Sequence, residues 1–383
     1  MHEHITAFTI TEEIKMTISE YFETLKTKDI ICWGSGKHFR NLTYPFLCKS
    51  GLIDNLIGFV DFPGLTDTVI GKRPYDRISK YKLGKMNSKN TLILIAVTGY
   101  EEILSQINSD AGLAKIEAVP SIYLESLYED VLLLDVDKPP VDYRKHDKQV
   151  IPKIIHGIWF SKEPMPELYQ KCLESWRKHS PDYEIKIWDL DMYKPDHCLF
   201  FEQAIEHKNW SFASDYTRAD LLYRYGGVYM DLDVEMLRSI DDLLYNDAYM
   251  SFESLDRIEC GSGMGAKPAH PIMKEICESY KNRPYLREDG SWDNSTCPVR
   301  YTKVIEKHGL KKNGGFQFVD DITIYPFEVL TGKSFDTGII YNTDLSYTLH
   351  HHNGSWIPDK AHNAICERYT RIQTFMGSKG ITF

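Results

Sequence analysis

This chain has no long apolar run, no Cys-x-x-Cys pair and no excess of positive charge. A bilayer-spanning helix needs roughly 18 consecutive apolar residues, and Leu92 to Val97 is among the longest runs present. The N-terminal Met-His-Glu-His-Ile-Thr carries no apolar signal core, so a cytoplasmic protein without a membrane span is expected. The cysteines (Cys32, Cys48, Cys172, Cys198, Cys260, Cys277, Cys297 and Cys366) are scattered, and a chain of 383 residues needs no disulfide staples. Free thiols in a reducing compartment are therefore expected. With 45 basic and 55 acidic side chains the net charge is −10, which argues against nucleic acid as a partner. Internal repeats and low-complexity tracts are also missing.

What is present is the composition of an ordinary soluble globular protein, 42% hydrophobic and 26% charged, long enough for two domains. Composition shifts between Asp135 and Gln149, where Lys138-Pro-Pro140 precedes the charged Asp142-Tyr-Arg-Lys-His-Asp-Lys148. Adjacent prolines block helix and sheet alike, and such a charged stretch is not expected to bury itself. The expected organisation is a first domain over 1–137, a linker over 138–150 and a second domain over 151–383.

In the first domain, Ile14, Ile18, Phe22 and Leu25 mark a helix, followed by the strand Asp29 to Trp33 and then Gly34-Ser-Gly36. A helix is expected from Lys37, a second strand from Leu56 to Val60 ending at Asp61, and a buried parallel strand from Thr91 to Val97. This is a Rossmann-like, three-layer pattern. The third glycine of a dinucleotide fingerprint is replaced by Phe39, which weakens a dinucleotide reading and leaves nucleotide binding and a structural or docking role both open.

The second domain restarts the alternation. Lys153 to Phe160 and Tyr183 to Trp188 read as strands, with a helix through Leu168, Cys172, Leu173 and Trp176 between them. A helix through Phe212, Tyr216, Ala219, Leu222 and Tyr223 should stop at Gly226-Gly227. The short strand Val228 to Met230 then delivers Asp231 and Asp233 to one side of its end. Two carboxylates so placed suit a hard divalent cation that also holds a diphosphate; the plainer alternative is a solvated acidic strand end. Two other Asp-x-Asp matches, Asp135 to Asp137 and Asp189 to Asp191, lack the preceding helix and double glycine.

Four blocks in order carry a family resemblance across roughly 150–356. They are Ile151-Pro-Lys-Ile-Ile-His-Gly-Ile-Trp159, Phe212-Ala-Ser-Asp-Tyr-Thr-Arg218, Tyr225-Gly-Gly-Val-Tyr-Met-Asp-Leu-Asp233 and His350-His-His-Asn-Gly-Ser-Trp356. They resemble the DXD-containing sugar-transferase family, which includes fungal α-mannosyltransferases and bacterial capsule and lipopolysaccharide glycosyltransferases. The resemblance implies a GT-A-type α/β sandwich that binds a nucleotide sugar. It implies that Trp159 stacks on the donor base, with core packing the alternative, and that Asp215 and Arg218 meet donor hydroxyls and diphosphate. Asp231, Asp233, His350 and His351 are the expected metal ligands, Asp233 the more direct of the two carboxylates and Asp231 also touching ribose or sugar. Imidazole beside carboxylate suits Mn2+, with Mg2+ the other choice. Ser355 and Trp356 are expected to close over the donor. His352 stands where the family often has a bulky residue, His156 is read as structural and Glu235 as solvated.

The implied activity is metal-dependent transfer of a hexose, with retention of configuration. The expected donor is UDP-linked glucose, galactose or N-acetylhexosamine, and the acceptor is a saccharide, free or lipid-linked, in bacterial surface polysaccharide synthesis. Asp215, Arg218 and Asp231 are the expected catalytic residues, and Glu253 and Asp256 are loose candidates for acceptor contact. Gly261-Ser-Gly-Met-Gly265 is expected to form a wall of the site, since no P-loop lysine follows. Two other classes compete: a dinucleotide-dependent sugar oxidoreductase or epimerase, and a carbohydrate-binding protein without turnover. The tail from Lys360 to Phe383 is expected as a helix on the second domain or on the inner face of a membrane.

Overall fold

The computed structural model describes residues 15–60, 69–70, 73–281, 283–354 and 357–382, with the side chains of 69–70 and 73–74 left aside. Ile14, Asp61, Ser355 and Trp356 lie outside the described residues. The chain divides into two units, with boundaries at Val131/Leu132 and Glu367/Arg368. All eight cysteines are free. Among the described residues no helix is long and apolar enough to cross a membrane.

The first unit holds a five-stranded parallel sheet in the order Asp76–Ile78, Leu56–Val60, Asp29–Trp33, Thr91–Ile95, Glu117–Pro120. Beyond their first residues, the strands Asp29–Trp33 and Thr91–Ile95 are apolar and buried, as a parallel sheet covered on both faces requires. Gly34 has φ +111°, and a Cβ there would lie 2.5 Å from the Val97 side chain. The chain after Gly36 makes a π turn over Phe39–Thr43 before the helix Tyr44–Lys49. Phe39 is fully buried, its ring 5.1 Å from that of Phe59. At this third-glycine position the chain therefore has a core side chain.

Two expectations of domain organisation are corrected. The tail forms the helix Asp359–Lys379, but from Arg368 onward it belongs to the first unit. Ile372 and Met376 are buried, Phe375 meets the rings of Tyr21 and Tyr123 at 5.9 and 5.8 Å, and Ile381 pairs with Met16. The segment 138–150 is docked on the second unit rather than free. Lys145 and His146 both reach Asp247 at 2.9 Å, Lys138 pairs with Glu328, and the Val150 amide donates to Leu244 O at 2.9 Å. Lys138, Lys145 and His146 thus find buried partners 101 to 190 residues along the chain.

The second unit is built on a mixed sheet. Its order is Glu184–Trp188, Ile154–Ile158, Gly227–Met230, Ser262–Ala266, Ala248–Ser254, Ile322–Tyr325, Gln317–Val319, with Arg257–Glu259 paired to the side of Ala248–Ser254. Ser262–Ala266 runs antiparallel to both neighbours, so its first residue sits where the flanking strands end. One apolar layer forms under the helices Leu199–Glu206, Trp210–Tyr225, Pro271–Lys281 and Cys297–Glu306; the other lies under Glu167–His179. The Trp210–Tyr225 helix is buried on every side from Ala213 to Leu222, which carries Asp215 and Arg218 inside. It stops because Gly226 adopts φ +66°, where a Cβ would strike Pro268 at 2.6 Å.

His156, in the middle of Ile154–Ile158, ties that strand to the segments on either side. Its Nε2–H donates to Gly226 O at 2.8 Å, and its Nδ1 accepts from the Trp188 indole at 3.0 Å. Burial pushes its pKa down to about 4, and protonation at Nδ1 would break the Trp188 bond. An unfolded histidine titrates near 6.5, so the native state binds fewer protons between the two values. Stability is fully present above about pH 6.5 and falls as the pH drops toward 4, by up to about 3 kcal/mol. Denaturant titrations across this window should show the wild type losing more stability than His156→Gln, whose amide keeps the Gly226 bond. Parallel profiles for the two proteins would contradict this assignment.

Candidate metal and donor site

The site lies where strands of the second unit end, as the α/β topology requires. Its two halves come from distant sequence and are joined by a two-stranded ladder. Val234–Met236 runs antiparallel to Thr348–His350, with Val234 opposite His350. The His351 amide donates to Asp233 O at 3.0 Å, and the Asn353 amide donates to the Asp233 carboxylate at 2.7 Å. His350 Nε2 is then 3.4 Å from Asp233 Oδ1.

Asp231, Asp233 and His350 each offer one ligand atom, and these atoms lie within 4.8 Å of one another. Two carboxylates and one imidazole make a donor set that suits Mn2+ and leaves coordination positions for other oxygens. Burial alone would raise Asp233, but the charge and hydrogen bond of His350 and the Asn353 amide hold it well below the usual carboxylate range. Burial opposes the charge on His350, and Asp233 and Glu259 raise its pKa well above the usual value.

Arg218 links this cluster to the buried helix. Its Nη2 lies 3.3 Å from Asp215 and 3.4 Å from Asp231, and its Nη1 donates to Cys297 Sγ at 3.5 Å. The guanidinium lies over the Tyr229 ring at 4.8 Å, while the Tyr229 hydroxyl donates to Asp231 at 2.5 Å. Burial pushes Asp215 up to about 6, partly opposed by Arg218 and the Cys297 thiol. Gly261 is required here: a Cβ would lie 2.0 Å from Asp231 Oδ2, and its carbonyl accepts from the Asp231 amide at 2.7 Å.

Trp159 is half-buried at its strand end; its indole donates to Glu163 O at 2.9 Å and meets Tyr169 edge-on at 5.7 Å. Tyr169 in turn accepts from the Asn353 side chain at 3.2 Å, so this indole connects to the Asp233 loop. His351 stands outside the cluster, because adjacent strand residues face opposite ways. It meets Glu235 at 3.0 Å, so Glu235, read as solvated, has a partner. His352 donates through Nε2 to Lys333 O at 2.9 Å and covers the His350 ring at 4.2 Å. Ser355 and Trp356 lie outside the described residues.

The sequence reading missed Glu259, a buried carboxylate 3.7 Å from His350 Nδ1. Its neighbour Glu253 sits at a β-bulge between Phe252 and Ser254, where burial and the charge of Glu259 push it up to about 8. Asp256 is on an exposed turn, held by Ser254 and Arg257, away from this group.

The family described as "Glycosyltransferase sugar-binding region containing DXD motif" matches residues 166–250, which include Asp215, Arg218, Asp231 and Asp233. This segment is similar to the DXD sugar-binding region of glycosyltransferases. Inositol phosphoceramide mannosyltransferase 3 of Schizosaccharomyces pombe is 32% identical over 130 residues, 33% of this chain and 36% of that protein. Mannosyl phosphorylinositol ceramide synthase SUR1 of Saccharomyces cerevisiae is 30% identical over 211 residues, 51% of this chain and 52% of that protein. The chain thus spans about a third and about a half of the length of these two curated relatives. The solved PaToxG Glycosyltransferase is 17% identical, with a TM-score of 0.35 over 43% of this chain and 72% of its own.

Within the matched segment Arg218 is the cation paired with the buried Asp215. Arg218→Met should destabilise the protein by about 3–5 kcal/mol, because it leaves a buried carboxylate uncompensated. Equilibrium unfolding measures this; a loss below about 1 kcal/mol would show that Asp215 does not depend on the guanidinium.

Proposed function

We propose that the chain moves a hexosyl group from a nucleotide-activated donor to a hydroxyl of a saccharide or other polyol acceptor, with a GT-A-type use of the second unit. The observation that carries this reading is the convergence of Asp231, Asp233 and His350 beside Arg218. Asp233 and His350 are the proposed metal ligands, and Asp231 is shared between metal, donor and Arg218. Bound there, Mn2+ or Mg2+ would supply Lewis-acid stabilisation of a diphosphate leaving group.

The chain's own groups complete the account. Breaking the anomeric carbon–oxygen bond leaves an oxocarbenium-like sugar and loads negative charge onto the diphosphate. The fork of Arg218 suits paired phosphate oxygens, and its position over Tyr229 keeps it oriented. Asp215 and Asp231 would accept hydrogen bonds from donor hydroxyls, and Trp159 would stack on the base. No carboxylate is assigned as nucleophile, so retention is proposed through front-face attack by the acceptor hydroxyl, whose proton passes to the departing diphosphate oxygen as the new anomeric carbon–oxygen bond forms. Two of the relatives are named for mannosyl transfer, so mannose joins glucose, galactose and N-acetylhexosamine as a donor sugar to be tried.

Nucleoside diphosphate release from a panel of UDP- and GDP-linked hexoses should depend on Mn2+ or Mg2+ for at least one donor. Asp233→Asn and Gly261→Ala should each lower that release by about 100-fold or more, the first by removing a ligand and the second by displacing Asp231. Release from no donor under any metal would favour a carbohydrate-binding protein instead.

A further inference from the structure

The metal reading leaves one buried charge unexplained. Glu259 ends the short Arg257–Glu259 strand, paired with Ala248–Ser254, and its side chain is 6% exposed. A buried carboxylate is costly unless it is paired and hydrogen-bonded. Glu259 Oε1 accepts from its own loop, from the Cys260 amide at 3.0 Å and the Gly261 amide at 2.6 Å. Among the described residues its one ion-pair partner is His350, whose Nδ1 lies 3.7 Å away. The next residue of the loop with a polar side chain, Ser262, places its hydroxyl 3.0 Å from the same Nδ1. Ser262 is itself fixed, since its carbonyl accepts from Thr348 Oγ1 at 2.8 Å.

His350 is therefore held at three places. Nδ1 faces Glu259 and Ser262, one ring face is covered by His352, and the backbone amide donates to Thr331 O at 2.9 Å. Its other nitrogen, Nε2, faces Asp233 at 3.4 Å. A carboxylate beside one imidazole nitrogen keeps the proton there and turns the lone pair of the other nitrogen toward the metal. The same loop also anchors the other half of the site through the Gly261 carbonyl on Asp231.

We propose that Glu259 is the positioning residue that fixes the tautomer and ring orientation of His350 for metal binding, with Ser262 as its partner at Nδ1. This rests on the reading of Asp231, Asp233 and His350 as a metal centre. It separates the two carboxyl residues of the bulged strand pair: Glu259 faces His350, whereas the ion-pair partner of Glu253 is Arg257.

The test is Mn2+ binding to the full chain, followed by the electron paramagnetic resonance signal of free Mn2+, with melting temperatures taken without metal. Glu259→Gln, which retains an oxygen for the two loop amides, should raise the Mn2+ Kd by about 10–100-fold with little change in melting temperature. Ser262→Ala should raise it by less. A Glu259 of purely structural value would lower the melting temperature and leave the Kd in place. If the wild type binds no Mn2+, or Asp233→Asn binds as tightly, the metal reading fails and this proposal with it. If Asp233→Asn abolishes binding while Glu259→Gln and Ser262→Ala match the wild type, the proposal alone is overturned. Should Glu259→Gln fail to fold, Ser262→Ala decides in the same way.

Discussion

The site depends on the pairing of two three-residue strands, Val234–Met236 and Thr348–His350. Asp233 and His350 are more than a hundred positions apart in sequence, and this ladder sets their spacing. A register slip of one residue would turn His350 away and bring Leu349 or His351 toward the carboxylates. So short a ladder is marginal alone, and here it is fastened from outside. The Thr348 hydroxyl donates to Ser262 O, the Leu237 amide donates to Tyr347 O at 2.8 Å, and the Asn353 amide caps the Asp233 carboxylate. The binding geometry is thus inherited from packing rather than from a flexible loop.

Charge is the second constraint. Asp215, Asp231, Asp233, Glu253 and Glu259 crowd one strand-end region, with Arg218 and His350 as the cations among them. The region divides its acids by environment. Asp233 and Glu259 are kept ionised by His350 and by backbone amides, whereas burial pushes Asp215 up to about 6 and Glu253 up to about 8. A divalent cation would be drawn to the ionised side, where the ligand atoms already converge.

Local pattern made much of this legible before any coordinates. The apolar runs ending at Trp33, Val60 and Met230 are strands because their neighbours in a covered sheet demand it. The helix ending at Gly226 was legible because only glycine accepts that backbone turn. What sequence could not show depends on partners far along the chain. Glu259 looks like any glutamate on a short strand until pairing sets it against His350. The charged segment after Lys138 reads as solvated until Asp247 is known to wait beneath it. The tail helix shows an apolar face but not the aromatic rings it will meet. One detail was available and unused: adjacent strand residues face opposite sides, so His350 and His351 do not both reach one ion.

The most direct measurement is anomalous diffraction from crystals grown with Mn2+ and a nucleoside diphosphate. The account predicts one strong peak within coordination distance of Asp233 and His350, with the diphosphate oxygens completing the shell beside Arg218. A peak held instead by Glu253 and Glu259, or by residues outside this strand-end cluster, would contradict it.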